Sequence, residues 1–391
     1  LKLNSPLSIL VILLLGTSMS SYAQDGEFEA LKQKMLDNNH KLKSAQLLSE
    51  STKAAEGQAF TFNKTQIYQN YDQSEADPIA SQPLYQWGIV QQFDFPTVYA
   101  NKLKLNKVKT ELAETQLSVA ELKQIKSLQI NYQNFLEAKE KLRVYDSIYK
   151  VYKAFSRMAK RKFEEGESNY LEKITAESKA SQIEIDRDQL QQDLANSKLA
   201  IQALLQVEEP LILKGRELKK LELKSVLKQN ENLSISALTI DQKMAEQATK
   251  LAKHQLLPGI SASYFIRSNS AIDQNFNGYQ VGLNIPLLFF GDRSKIKSAQ
   301  LKARAKEAEL TDAKIALKKG QEQLIELLKV QSNTLTNYEN HQLKMAIEIL
   351  NTAKLSYKAG EIDFFRYVQS IEQAQRIKLD YLSKLREYNQ T

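Results

Sequence analysis

The sequence predicts a mainly α chain with a small β part, built as a tandem duplication in which each half carries a β-hairpin followed by a long helical hairpin. Three observations carry this reading. Gly and Pro number only 12 and 7 in 391 residues, so little in the chain frees φ or removes a backbone donor. Two runs of 69 and 68 residues, Thr97 to Glu165 and Asp292 to Ala359, hold no breaker except Gly320, which a helix tolerates at about 1 kcal/mol. Finally, Tyr85-Gln86-Trp87-Gly88 returns as Tyr279-Gln280-Val281-Gly282 at an offset of 194 residues. Phe163-Glu164-Glu165-Gly166-Glu167 returns as Tyr357-Lys358-Ala359-Gly360-Glu361 at the same 194. Two motifs that share one offset mark an internal repeat.

In chain order, residues 1–23 read as a signal peptide. Lys2 supplies a charged start, Leu10 to Leu15 an apolar stretch too short to span a bilayer, and Ser21-Tyr22-Ala23 a small-x-small cleavage site. The mature chain is expected to begin near Gln24. No Cys follows, so a lipid anchor through an N-terminal Cys is excluded, and with no Cys anywhere neither a disulfide nor a thiolate site can form.

The first repeat is placed at 24–209. Its strands are expected at about 58–70 and 84–95. In the second of these, Tyr85, Trp87, Ile89, Phe93 and Phe95 alternate with Gln86, Gly88, Gln92 and Asp94, failing only at Val90/Gln91. A helical hairpin over 97–209 turns at Gly166. An unbroken helix over the 69-residue run would be about 100 Å long at ~1.5 Å per residue. Along it, Leu105, Val108, Leu112, Val119 and Leu122 keep a heptad spacing, and the register then shifts through Ile125, Leu128, Tyr132, Phe135 and Leu142. Apolar residues on more than one face fit a helix with neighbours on two sides, as in a wall of helices.

The second repeat, 210–391, has strands expected at about 259–269 and 277–288 and a helical hairpin over 292–388 turning at Gly360. Ile260, Ala262, Tyr264 and Ile266 alternate with polar residues, as do Tyr279, Val281, Leu283, Ile285 and Leu287. The connectors Tyr71 to Pro83 and Ser268 to Gly278 are rich in Asp, Asn, Ser, Gln and Pro, so each strand pair reads as a hairpin with a polar loop.

Strands with one apolar and one polar face suit a transmembrane barrel or a soluble sandwich with one wet face. Four strands cannot close a barrel alone, and hydrocarbon tolerates no open sheet edge, so a membrane-spanning sheet requires oligomerisation. Two chains would give eight strands and a filled interior; three give twelve and an aqueous lumen, which is the expected state.

The order and spacing of these motifs resemble the TolC-like outer membrane efflux factor family. The resemblance covers essentially the whole mature chain and rests on the duplicated plan, the corners Gln91-Gln92-Phe93-Asp94-Phe95-Pro96 and Ile285-Pro286-Leu287-Leu288-Phe289-Phe290-Gly291-Asp292-Arg293, and the Tyr357-Lys358-Ala359-Gly360-Glu361 turn. It implies a trimeric α/β barrel tunnel, with a 12-stranded barrel in outer membrane lipid and a periplasmic helical tube. The homotrimer would act as the passive exit duct of a tripartite efflux system, with a periplasmic adaptor (membrane fusion) protein docking at the turns Gly166 and Gly360 and a proton-driven inner-membrane pump. The barrel aromatic residues would be Tyr85, Trp87, Phe93, Phe95, Tyr264 and Tyr279. The Phe-Asp-Phe-Pro corner resembles most the branch serving heavy-metal-efflux pumps. The family's entrance is often closed by acidic residues just past the second turn. Here Arg366 and Gln369 stand six and nine residues after Gly360, which departs from that pattern. Glu172 is equivalent to Arg366 across the repeat, so the two either pair between neighbouring hairpins or remain solvated, and Asp363 is the remaining acidic candidate for the gate.

Other chemistry is not indicated. The net charge of +8, or +7 without Lys2, comes from Lys and Glu alternating along helices, which reads as a solvated surface and not as a nucleic-acid groove. The three His, at 40, 254 and 341, are scattered, and no nucleophile motif, Walker loop or dinucleotide fingerprint appears, so no metal, cofactor or enzyme activity is expected. A type I protein secretion conduit would share the whole architecture. A periplasmic coiled-coil scaffold would share only the helices.

Overall fold

The computed structural model describes residues 26–72, 84–221, 232–269, 274–287 and 289–391. The expected signal peptide, and Leu288 of the second corner, lie outside them. In chain order the elements are α1 (Gly26–Asn38), α2 (His40–Ala54), β1 (Gln66–Asp72), β2 (Leu84–Phe93), α3 (Pro96–Glu164), α4 (Tyr170–Leu205), α5 (Leu233–His254), β3 (Gly259–Asn269), β4 (Gln274–Asn284), α6 (Phe290–Asn337), α7 (Leu343–Lys358) and α8 (Phe364–Gln390). Among the described residues, no helix is long and apolar enough to cross a membrane. The contacts divide the chain into two compact units that cut across the two sequence repeats: residues 1–42, 121–230 and 318–391 in one, and 43–120 and 231–317 in the other.

The first unit is held by an apolar core. Phe28, Leu31 and Met35 of α1 share one cluster with Leu128, Tyr132 and Phe135 of α3, Ile201 and Leu205 of α4, and Leu382, Leu385 and Tyr388 of α8. Burying each such side chain contributes about 1.5–3 kcal/mol relative to exposure. Polar stitches fix the register of these helices. The Glu27 carboxylate accepts from the backbone N–H groups of Lys214 and Gly215 at 2.7 and 2.9 Å, which anchors the segment after α4. Near the C-terminus, Asn389 Nδ2 donates to Gln133 Oε1 and to Lys219 O, while its Oδ1 accepts from Leu221 N. A buried amide satisfied on both sides specifies one register, because any slip would strand it.

The second unit holds the sheet, in the order β1-β2-β3-β4 with every neighbour antiparallel. The two expected hairpins thus join into one sheet through the β2–β3 pairing. Around it, Thr97 Oγ1 meets His254 Nδ1 at 2.9 Å, Lys243 pairs with Glu111, and Lys306 pairs with Asp241.

Three strands differ in extent from the sequence reading. The first strand begins at Gln66, not near 58, because Ala55–Phe60 form a 3-10 turn that closes α2. Phe60 and Phe62 imitate strand alternation, yet the Phe62 ring packs edge-on against Phe93 and Tyr99. The second strand ends at Phe93 and not at 95, so Phe95 is a corner residue whose carbonyl accepts from Val98 N at the start of α3. The fourth runs Gln274–Asn284, leaving Ile285 and Leu287 beyond the ladder. Pro286 has no N–H to contribute to it. A π turn at Tyr338–Gln342 also interrupts the second long helix, where the sequence carries neither Gly nor Pro.

Candidate functional site

The register sorts the sheet into two faces of opposite character. One face carries Ile67 and Tyr71 of β1, Tyr85, Trp87, Ile89 and Phe93 of β2, Ile260, Ala262, Tyr264 and Ile266 of β3, and Tyr279, Val281 and Leu283 of β4. Most of these apolar side chains are exposed, with Ile67 at 69%, Trp87 at 56%, Tyr279 at 83% and Val281 at 70%. Phe93 and Ile260, which face each other across β2 and β3, are the half-buried exceptions, Phe93 held in its cluster with Phe62. Gln69, Gln91, Ser268, Asn275 and Asn277 are polar positions on this face; the Gln91 side chain is used internally, accepting from Thr65 Oγ1 and donating to Asn63 O.

The opposite face is mainly polar, with Gln86, Gln92, Ser261, Ser263, Arg267, Gln280 and Asn284, and it also carries Leu84, Val90, Phe265 and Phe276. Arg267 donates to Gln86 Oε1 from Nη2 at 2.8 Å, and Gln86 Nε2 donates to the Tyr68 hydroxyl at 2.9 Å. One row across this face reads Tyr68, Gly88, Phe265, Gly278. Each ring lies over the glycine beside it, so a Cβ would fall 2.5 Å from the Tyr68 ring at Gly88 and 2.6 Å from the Phe265 ring at Gly278. Rings laid over glycines protect backbone that has no side chain of its own. Within one chain the outer edges of β1 and β4 have no strand partner among the described residues.

The turn residues belong to the other unit. Gly166 and Gly360 adopt φ of 77° and 75°. At each, the glycine N–H and the next N–H satisfy two orphan carbonyls of the ending helix: Gly166 N to Phe163 O and Glu167 N to Lys162 O, then Gly360 N to Tyr357 O and Glu361 N to Ser356 O. These are paired Schellman closures, and the left-handed φ selects Gly. Each next helix is capped three residues on. Asn169 accepts from Glu172 N and Asp363 from Arg366 N, both at 2.8 Å, again 194 residues apart.

Two of the three gate candidates therefore have local roles. Asp363 caps α8, and the Glu172 carboxylate accepts from Ser168 Oγ at 2.8 Å. Arg366 is exposed, and among the described residues no ion pair joins it to Glu172. The link between the two helical hairpins falls elsewhere. Glu372 of α8 accepts from Lys179 of α4 at 2.8 Å and from the buried Tyr152 hydroxyl of α3 at 3.3 Å. Burial first, and then the Glu372 charge, hold that phenol well above its ordinary range. Phe155 stacks on Phe364 in the same region, and Tyr357 on Tyr367 at 4.8 Å. Lys179, Tyr152 and Glu372 lie on three helices with no shared spacing, so nothing in the sequence singled them out. Among the described residues no cluster of His, Cys, Asp or Glu could hold a metal ion.

No protein-family model and no curated protein matches the sequence. Solved structures do match. The outer-membrane channel OprN aligns with a TM-score of 0.79 at 14% identity, over 94% of this chain and 88% of its own. The CmeC outer membrane channel of Campylobacter jejuni aligns at 0.76 and 15%, over 94% and 84%. The outer membrane protein VceC of Vibrio cholerae aligns at 0.74 and 15%, over 94% of both chains. The chain has the TolC-like outer membrane channel fold. Within that channel fold, identities of 14 to 15% select no branch, so the heavy-metal resemblance of the Phe-Asp-Phe-Pro corner stays a feature of the sequence.

Proposed function

We propose that this chain is the outer membrane exit duct of a tripartite efflux system, passively conducting what an inner-membrane pump and a periplasmic adaptor deliver. The observation that carries the reading is the sheet, with an exposed, mainly apolar face, a mainly polar face opposite, and two edges without strand partners among the described residues. Such a sheet is stable in hydrocarbon only when its edges pair and its apolar face meets lipid. Its strands alternate in direction and are even in number, so β4 of one copy can continue into β1 of the next as an antiparallel pair, whatever the number of copies. Three copies give twelve strands, enough to leave a lumen lined by the polar face.

On this reading, residues 24–209 and 210–391 are two copies of one efflux-factor repeat. Gly166 and Gly360 close the periplasmic end where the adaptor docks, and a proton-driven pump supplies the cargo. Glu172 and Arg366, which do not pair within one chain, would meet between neighbouring copies at the entrance. Full-length protein extracted from outer membranes is expected to contain three chains by native mass spectrometry and to conduct ions in planar bilayers. A stable monomer recovered from the soluble fraction would refute the reading.

A further inference from the structure

The mainly polar face of the sheet holds very little charge. In the four strands only Asp72 of β1 and Arg267 of β3 are charged, and both stand on that face near its loop end. Arg267 belongs to a row of large side chains that reads Asn70, Gln86, Arg267, Phe276 across the strands. Its guanidinium donates twice to one oxygen, Gln86 Oε1, from Nη2 at 2.8 Å and from Nε at 3.3 Å, and Gln86 Nε2 in turn donates to the Tyr68 hydroxyl. A neutral acceptor positions the guanidinium and leaves its charge uncancelled, and among the described residues no carboxylate pairs with it. Asp72 stands one row nearer the loops and two strands away, while Glu75, Asp77 and Asp273 belong to the connectors, outside the described residues. In the next row toward the helices the Tyr68 and Phe265 rings lie over Gly88 and Gly278 and stay close to the wall, which leaves the Arg267 row to project beyond it.

We propose that Arg267 sets the charge preference of the strand-lined lumen, where its three copies form a cationic ring that favours small anions over small cations. The proposal rests on the exit-duct reading, which turns the mainly polar face inward, and adds to it the class of cargo. Threefold symmetry puts the three guanidinium groups at one level. Twelve strands spaced about 4.8 Å apart and tilted by about 40° enclose a barrel roughly 24 Å across between backbones. Every permeating ion then passes within about one Debye length of a guanidinium at 0.1 M salt. Fixed charges along a water-filled path enrich ions of opposite sign and deplete those of the same sign. On this assignment the barrel favours anionic cargo and disfavours bare metal cations, the cargo that the resemblance of the Phe-Asp-Phe-Pro corner would suggest.

The test uses the full-length trimer in planar bilayers under a potassium chloride gradient, where the reversal potential reads the potassium-to-chloride permeability ratio. The helical tube is the same in every variant, so a difference between variants belongs to the barrel. Arg267→Gln should raise that ratio at least about twofold near 0.1 M salt, and the shift should fade toward 1 M as the Debye length falls from about 10 to about 3 Å. Arg267→Lys, which keeps the charge, should keep the wild-type ratio. Because the chain has no Cys, Arg267→Cys introduces a single thiol that can be modified during a recording. A trimethylammonium thiosulfonate reagent should return the ratio toward the wild-type value, and a sulfonate-bearing one should raise it further. An unchanged ratio in Arg267→Gln, or the same ratio after both reagents, would overturn the ring while the conducting trimer stands. Wild-type protein that neither trimerises nor conducts would remove the duct reading, and the proposal with it.

Discussion

Tyr381 sits against the π turn that separates α6 from α7, donating to Glu339 Oε1 at 3.1 Å with its ring 6.1 Å from Tyr338. Burial, then the Glu339 charge and the hydrogen bond, push its hydroxyl up to about 12. Between the ordinary value of about 10 and that value, the folded protein keeps a proton that the unfolded chain has lost. Its contribution is therefore complete below about pH 10 and falls away as pH rises toward 12. Replacing Tyr381 by Phe should cost about 0.5–1.5 kcal/mol at neutral pH through the lost hydrogen bond, and should flatten part of the alkaline decline. Unfolding midpoints at pH 9 and 11.5 for both proteins measure this; an equal drop in the two would contradict it. Other buried tyrosines such as Tyr152 keep the remaining slope. Gly166 and Gly360, by contrast, were legible in the sequence, because a left-handed closure leaves a compositional trace and a tyrosine–carboxylate contact between distant helices leaves none.

At the scale of elements, two contacts compete for the role of latch between the helical hairpins. Lys179 and Glu372 are each partly exposed, so the ion pair itself is worth only about 0.2–1 kcal/mol. Losing it through Glu372→Gln should shift a closed-to-open equilibrium by up to about fivefold, seen as higher planar-bilayer conductance. Arg366→Glu should raise conductance in the same assay if Glu172 and Arg366 meet between copies, and the swapped pair Glu172→Arg with Arg366→Glu should restore closure. A rise in the first variant alone would make Glu372 the latch and leave Arg366 a solvated helix charge. The lengths of these helices could be read from runs without Gly or Pro, whereas the links between them depend on which faces meet, and partly apolar faces with several registers do not specify that in advance.

For the whole molecule, the two faces of the sheet make opposite predictions for neighbouring residues. Val281 lies on the exposed apolar face and Gln280 on the polar face of the same strand. If the apolar face meets lipid, Val281→Lys should cost about 2–4 kcal/mol near the bilayer midplane, while Gln280→Lys should be nearly neutral. Yield of heat-stable trimer from outer membranes reads the difference, and equal tolerance at the two positions would argue against lipid contact.

The amino-acid sequence by itself determined the long helices, the 194-residue repeat, the glycine closures and the alternation that divides β2 into unlike faces. Each of these is local: breaker content, φ preference and period-two patterning act within a few residues of chain. Only the tertiary structure decided that two hairpins join as one sheet through β2 and β3, that Phe60 and Phe62 do not belong to a strand, and that Glu372 and not Glu172 bridges the helical hairpins within a chain. Those outcomes depend on contacts between residues far apart in sequence, where many pairings satisfy the same local pattern and packing selects one.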